Sequence, residues 1–352
     1  MNPAGSSAAG RRPTVALDGR GAEQGAAVIV EGALAAAADG IGVRVFGDPG
    51  ELAQLDGSGV DLLSAPGVIT NEDEPVASVR SRPDASVVRA VQDVAGGEAD
   101  AVVSAGSTGA TMTAALFALR RTQGVRRPAL ALQLPVPGRE DPPIVLLDGG
   151  ANTEARAQDL VQFAYLGSSF SQAVLGTDRP RVALLSIGEE ASKGTPQLID
   201  AHATLAAAPG LEFVGNVEGR DLMTGAAEVI VTDGFTGNVV LKTLEGTARV
   251  VAGAVGHAAR SNPLAALGGL LLRPALGGLR REMDPDTTGG AILLGLRGVA
   301  VVAHGSSGAD GVANAIRLAA RAVEQRAVER TASLLETSGA TRSGLRRDRN
   351  SQ

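Results

Sequence analysis

A chain of 352 residues with 44% hydrophobic composition can build one large α/β domain or two modest ones, around an aliphatic core because Trp is absent and only six Phe and one Tyr occur. A net charge of −6 and a pI near 5.3 argue against nucleic acid as the main partner, and so few aromatics leave no base-stacking platform. Without any Cys, disulfides, thiolate zinc sites and a cysteine acyl-enzyme are excluded.

Residues 1–13 are small and polar, with no apolar segment of signal-peptide type, and read as a flexible leader. Thr14–Asp18 predicts a strand, Ala22–Ala38 an Ala-rich helix and Ile41–Phe46 a second strand. Pro83–Val94 reads as a helix, Ala101–Ala105 as a strand and Thr108–Leu119 as the helix after it. Strands over Ala129–Leu134 and Ile144–Leu147 flank a Pro-rich turn. A long helix, Ala157–Leu175, leads to strand Arg181–Ile187 and a helix near Pro196–Ala207. Strands Leu211–Val214 and Glu228–Thr232 precede a helix from Gly237 to about Ala259. Strand Val299–Ala303 feeds a C-terminal helix over Ala309–Leu335. Thr337–Gln352 is polar and Arg-rich and predicts a disordered tail, leaving 14–336 as a single catalytic domain.

Strands alternating with helices predict a three-layer α/β/α fold with a mostly parallel sheet. Continuous apolar runs such as Val145-Leu146-Leu147 fit strands covered on both faces. No run of 18 charge-free apolar residues suggests a membrane span, so the expected location is cytoplasmic.

Gly is 47 of 352 and clusters in short loops between apolar runs. Four such loops link strand to helix: Ser104–Ala110, Asp148–Asn152, Asp233–Asn238 and His304–Gly308. In a parallel sheet all four lie at one rim, where free N–H groups at helix N-termini favour an anion. Any one loop alone is ordinary helix capping; four together favour an anion site. No G-x-x-x-x-G-K-[ST] occurs, and the Asp18–Gly25 glycines have the wrong spacing for a dinucleotide loop.

Of 32 basic side chains only Lys193 and Lys242 are lysine. Both fall near these loops, which favours a functional ammonium over chance survival. Lys242 shares a helix face with Asn238; its plain alternative is a surface lysine paired with Glu245.

These motifs resemble the phosphate acyltransferases of bacterial phospholipid synthesis, the PlsX family. The likeness runs from Thr14 to Val323 through Ser104–Ala110, Arg127-Pro128-Ala129, Leu146–Asn152 and Leu160–Ala164. It continues in Ile187–Glu190, Lys193-Gly194, Gly215–Asp221, Thr232–Lys242, Gly289–Ala291 and Ala303–Ser307. The family commonly has Asn where Ser107 stands. It usually opens with Asp-Ala-Met-Gly-Gly-Asp, of which Asp18–Glu23 keeps only the first Asp and one Gly, so no role is assigned to that loop.

The resemblance implies a homodimer with a Rossmann-like fold akin to isopropylmalate dehydrogenase and phosphotransacetylase. It implies transfer of a fatty acyl group from acyl carrier protein to inorganic phosphate, with no cofactor and no metal. Phosphate is itself the nucleophile, so the protein positions groups and stabilises charge. Phosphate is expected at Ser104, Gly106, Ser107, Thr108 and Gly109, assisted by Lys193 or Lys242. Asn152, Asn238 or a loop N–H is expected to hold the oxyanion. His304 would protonate the leaving thiolate or orient phosphate, while Asp148 and Asp233 orient a lysine or cap a helix. Asn216 and Arg220 join the substrate-binding set on the resemblance alone. Phosphotransacetylase action on acyl-CoA, a decarboxylating dehydrogenase on the same fold and a non-catalytic membrane scaffold are the alternatives.

Two surface expectations complete the reading. An acidic carrier protein would dock on Arg120, Arg121, Arg126 and Arg127, or on Arg280 and Arg281. Pro263–Arg281 has leucines at helical spacing and Pro274 inside, predicting two short helices in a hairpin over 261–284. That hairpin would lie on a membrane surface and deliver acyl phosphate to a membrane-bound glycerol-3-phosphate acyltransferase; packing in a dimer interface is the competing reading.

Overall fold

The computed structural model describes residues 12–138, 142–282 and 285–345. The chain opens with β1 (Thr14–Asp18), α1 (Ala26–Ala38), β2 (Gly42–Gly47), β3 (Asp61–Ser64), α2 (Pro75–Ser81) and α3 (Ser86–Gly96). Next come β4 (Ala101–Ser104), α4 (Thr108–Ala118), β5 (Ala129–Leu134), β6 (Ile144–Leu147) and α5 (Ala157–Val174). β7 (Arg181–Leu185), α6 (Pro196–Leu205), β8 (Glu212–Val217), β9 (Val229–Val231) and α7 (Gly234–Ala258) follow. The remainder is α8 (Pro263–Glu282), α9 (Pro285–Thr288), β10 (Ala291–Leu294), β11 (Val299–Val302), α10 (Ala309–Glu324) and α11 (Ala327–Thr337).

The strands form one sheet in the order β3-β2-β1-β4-β11-β10-β5-β6-β9-β7-β8. Helices cover both faces, as expected. In β4, Ala101 and Val103 join one core cluster, with α1, α5 and α10, and Val102 joins the other, with α3 and α4. This two-sided burial is why the central strands read as unbroken apolar runs. α5 is buried nearly all round and contains Phe163, Tyr165 and Phe170, three of the few aromatics. Each such ring contributes roughly 1.5–3 kcal/mol by leaving water.

Pairing is parallel except at three successive junctions: β11–β10, β10–β5 and β5–β6 are antiparallel. Three reversals leave β6, β9, β7 and β8 running opposite to β1–β4 and β11. The single rim expected for the four loops is therefore corrected. The Ser104 and His304 loops leave one end of the sheet, and the Asp148, Asp233 and Lys193 loops leave the other.

Other expectations also change. The helix assigned from Pro83 begins at Ser86, because Asp84 and Ala85 do not join it and Ala85 is extended; α2 precedes it, capped by the Glu74 carboxylate. The C-terminal helix is broken into α10 and α11 at Arg326, which adopts φ 53. α8 runs through Pro274 as one helix, where a proline removes one backbone donor. The arms of the hairpin are thus α7 and α8, with Asn262 capping the second through Ala265 N–H at 2.9 Å. The tail stays packed past Thr337: Ala340 and Leu345 are buried, and Gln162 and Gln158 donate to their carbonyls at 2.8 Å. Residues 1–11 and 346–352 lie outside the described residues.

Candidate active site

The Ser104 loop is built from a buried acid outward. Asp18 ends β1 and is enclosed in the core. Its carboxylate accepts from the Ser86 hydroxyl at 2.5 Å, the Ser104 hydroxyl at 2.7 Å and the Arg20 N–H at 3.2 Å. Ser104 Oγ in turn accepts from the Gly106 N–H at 3.1 Å. Ser104 and Gly106, expected on phosphate, are therefore engaged within the loop, and they shape it. Burial pushes the Asp18 carboxyl up from its ordinary range, opposed by the two hydroxyl bonds and the Arg20 amide. Ser107 caps α4 through Ala110 N–H at 3.4 Å. The N–H groups of Thr108 and Gly109 have no partner among the described residues and stay available to an anion. A Cβ on Gly109 would lie 2.9 Å from Pro75 of α2, so this glycine is required by packing as well.

The Asp148 loop already holds its anion. The Asp148 carboxylate accepts from Leu130, Gly150, Ala151 and Asn152 N–H groups and from the Asn152 side-chain amide, at 2.7 to 3.1 Å. Burial raises its pKa, opposed by the Ala151, Leu130 and Gly150 amides and the Asn152 side chain. The amides that the sequence offers to a ligand thus point at an internal carboxylate, while Asn152 also donates to Pro128 O at 2.8 Å. Asp233 caps α7 through Thr236 N–H at 2.9 Å, the capping role expected for it.

α7 joins the two ends of the sheet. Its first turn sits directly on the Asp148 loop: a Cβ on Gly234 would be 2.6 Å from Asn152 O, and one on Gly237 would collide with the Asp148 carbonyl. Asn238 lies against Gly150. One turn further on, Lys242 Nζ stands 3.0 Å from Glu245 Oε2 and 3.5 Å from His304 Nε2, and Glu245 Oε1 is 3.5 Å from that nitrogen. Ser306 N–H donates to His304 Nδ1 at 3.3 Å, a contact that selects the Nε2–H tautomer facing Glu245. The His304 loop is tied to the Ser104 loop by the Ala303 N–H to Ser104 O bond at 2.9 Å. Lys242 is about half exposed, whereas Glu245 is mostly covered. Gly150, Thr153, Phe235, Asn238 and Lys242 line a groove of about 490 Å³.

The remaining expected residues stand apart. Lys193 is exposed in the loop after β7, and among the described residues no contact brings it to the Lys242 group. Asn216 is buried at the end of β8 and donates to Glu190 O at 2.8 Å, while its Oδ1 has no partner among the described residues. Arg220 is an exposed side chain paired with Glu189 and Glu218 at 3.5 and 3.4 Å. Glu245 and Asp18 were not among the expected site residues. The three-residue spacing from Lys242 marks Glu245, but the contact of both with His304 is visible only in three dimensions.

The family model described as "Fatty acid synthesis protein" matches residues 14–330. Curated relatives called phosphate acyltransferase include one from Thermus thermophilus, 45% identical over 315 residues, covering 88% of this chain and 94% of the relative. Another from Elusimicrobium minutum is 48% identical over 258 residues, 73% of this chain and 74% of the relative. Among solved structures, a phosphotransacetylase from Streptococcus pyogenes aligns with TM-score 0.59 at 19% identity, over 90% of this chain and 95% of its own. A branched-chain phosphotransacylase from Enterococcus faecalis V583 aligns at 0.58 and 18%, over 88% and 99%. At such identities the two structures speak to the fold alone.

Proposed function

The chain belongs to the phosphate acyltransferase family, enzymes of acyl transfer with phosphate in fatty acid and phospholipid synthesis, and from that premise we propose that it moves a fatty acyl group from acyl carrier protein to inorganic phosphate. The products are acyl phosphate and free carrier protein, the former feeding phosphatidic acid synthesis. The observation that carries this reading is the grouping of Lys242, Glu245 and His304 at the groove that presents Asn238, with the His304 loop bonded to the Ser104 loop that precedes α4.

In this reading the Thr108 and Gly109 amides and the Lys242 ammonium hold phosphate. A phosphate oxygen attacks the thioester carbonyl; the new C–O bond forms, the C–S bond breaks and the carrier leaves as a thiolate. Asn238 donates to the developing oxyanion, an interaction worth roughly 3 kcal/mol. The thiolate takes its proton at this end of the groove from the Lys242 ammonium, while His304 keeps the Nε2–H that faces Glu245. Glu245 fixes both groups and offsets part of the lysine charge.

The enzyme works as a homodimer on the cytoplasmic side of the membrane. Its α7–α8 arm rests on the lipid surface through 263–281 and passes acyl phosphate to a membrane-bound glycerol-3-phosphate acyltransferase. No described helix is long and apolar enough to cross a membrane, which suits attachment at the surface.

Labelled phosphate tests the reaction. Acyl phosphate should form from acylated carrier protein with kcat/KM at least roughly tenfold above that for acyl-CoA. A preference for acyl-CoA, or no acyl phosphate, overturns the reading.

A further inference from the structure

Beside the reaction groove lies a cleft of about 720 Å³, floored by Met112, Leu116 and Leu293 and rimmed by Arg120, Arg121 and Arg127. The arginines of this turn are not equivalent. Arg126 Nε is 2.8 Å from the buried Asp159, and Arg127 is 4.0 Å from the same carboxylate. Arg120 and Arg121 have no carboxylate within ion-pair distance among the described residues, and neither does Arg297.

Those three are held side by side by backbone. Arg297 N–H donates to Arg120 O at 3.0 Å and its Nε to Arg121 O at 3.1 Å. Thr122 N–H donates to Gly295 O at 2.9 Å and its hydroxyl to Leu296 O at 2.7 Å. Arg120 takes φ 61 to fit the turn. In a chain of net charge −6 the fold thus keeps three adjacent cations without a counter-charge among the described residues, Arg121 being steadied by the Arg126 carbonyl alone. Such an arrangement attracts an acidic partner and orients its approach.

The cleft also shares a wall with the groove. Ala151 and Asn152 line the cleft, while Gly150 and Thr153, in the same loop, line the groove. A thioester arm lying along the apolar floor of the cleft has one short loop to pass before it reaches Lys242.

We propose that this cleft is the docking site of the acidic carrier protein: Arg120, Arg121 and Arg297 pair with its surface carboxylates, and its acyl-bearing arm enters the groove past the Gly150–Thr153 loop. This rests on the reading that the acyl donor is carrier-bound. It replaces Arg126 and Arg127, engaged by Asp159, with Arg297, which lies far along the chain from the cluster legible in the sequence.

The test combines Arg120→Asn, Arg121→Gln and Arg297→Gln, choosing Asn where the left-handed turn tolerates it and Gln where a donor is needed. KM for acyl carrier protein should rise roughly tenfold and lose most of its salt dependence, while kcat and KM for phosphate stay at wild-type values. A second variant, Arg121→Lys with Arg297→Lys, should keep most of the affinity because the charge is kept. An unchanged KM for acyl carrier protein in the triple variant, with the wild type active on that substrate, overturns the docking site and leaves the reaction standing. If the wild type turns over acyl-CoA but not acyl carrier protein, the functional reading falls first and the docking site with it.

Discussion

Lys242 is one of only two lysines in the chain, and it is the one that meets other chemistry, Glu245 and His304. Lys242→Ala should lower acyl phosphate formation at least roughly tenfold, with an unchanged melting temperature because the side chain is half exposed. Full activity in that variant ends its catalytic assignment, and Lys242→Arg should restore only part of the rate because a guanidinium fork is a different donor shape. Asp18 gives a second test at this scale. Burial lifts its carboxyl above the ordinary 3.8. The folded protein therefore holds this proton more tightly than the unfolded chain does. That contribution to stability is fully present below the unfolded value and is lost as pH rises through the folded one. Asp18→Asn cannot ionise, so its melting temperature relative to wild type should climb as pH is raised from about 4 toward neutrality. A flat difference over that range would show an aspartate of ordinary pKa.

At the scale of elements, α7 decides where the site is. Its first turn can approach the Asp148 loop only because Gly234 and Gly237 carry no side chain. Gly237→Ala should cost about 1–3 kcal/mol through forced displacement, read as a lower denaturant midpoint, and should reduce activity as Lys242 moves away from His304. Wild-type stability would show that α7 is not seated on that loop. Much of this scale was legible beforehand. β4, β5 and β6 announce themselves as apolar runs because both of their faces are buried. β3 did not, as an edge strand with Asp61 and Ser64 exposed, and neither did β10, four residues set between glycines. The loops that bear the site could be found from their place between strand and helix. Which of them faces a ligand could not. A sequence carries no sign of strand direction, so the three reversals between β11 and β6 stayed hidden. Nor does it show that the carboxylates of Asp18 and Asp148 turn inward and take up the donors that seemed to await phosphate.

For the whole molecule, the informative feature is the arm formed by α7 and α8. Along it Val250 is 71% exposed, Leu264 79%, Leu270 62% and Leu271 74%. Apolar side chains in that density mark a surface covered by something else. Lipid and a second copy of the chain are the two occupants, and the chemistry favours lipid. Acyl phosphate is an amphiphile, and an enzyme lying at a membrane surface releases it where it dissolves. α8 also has the composition of an interfacial helix, apolar along one stripe yet containing Arg273. Leu267→Glu, Leu270→Glu and Leu271→Glu together should abolish flotation with vesicles of anionic phospholipid. The variant should sediment with the same mass as the wild type and turn over acylated carrier protein in free solution at an unchanged rate. Dissociation into monomers would assign the stripe to the dimer interface instead, and vesicle binding that survives the three carboxylates would place the membrane contact elsewhere on the molecule.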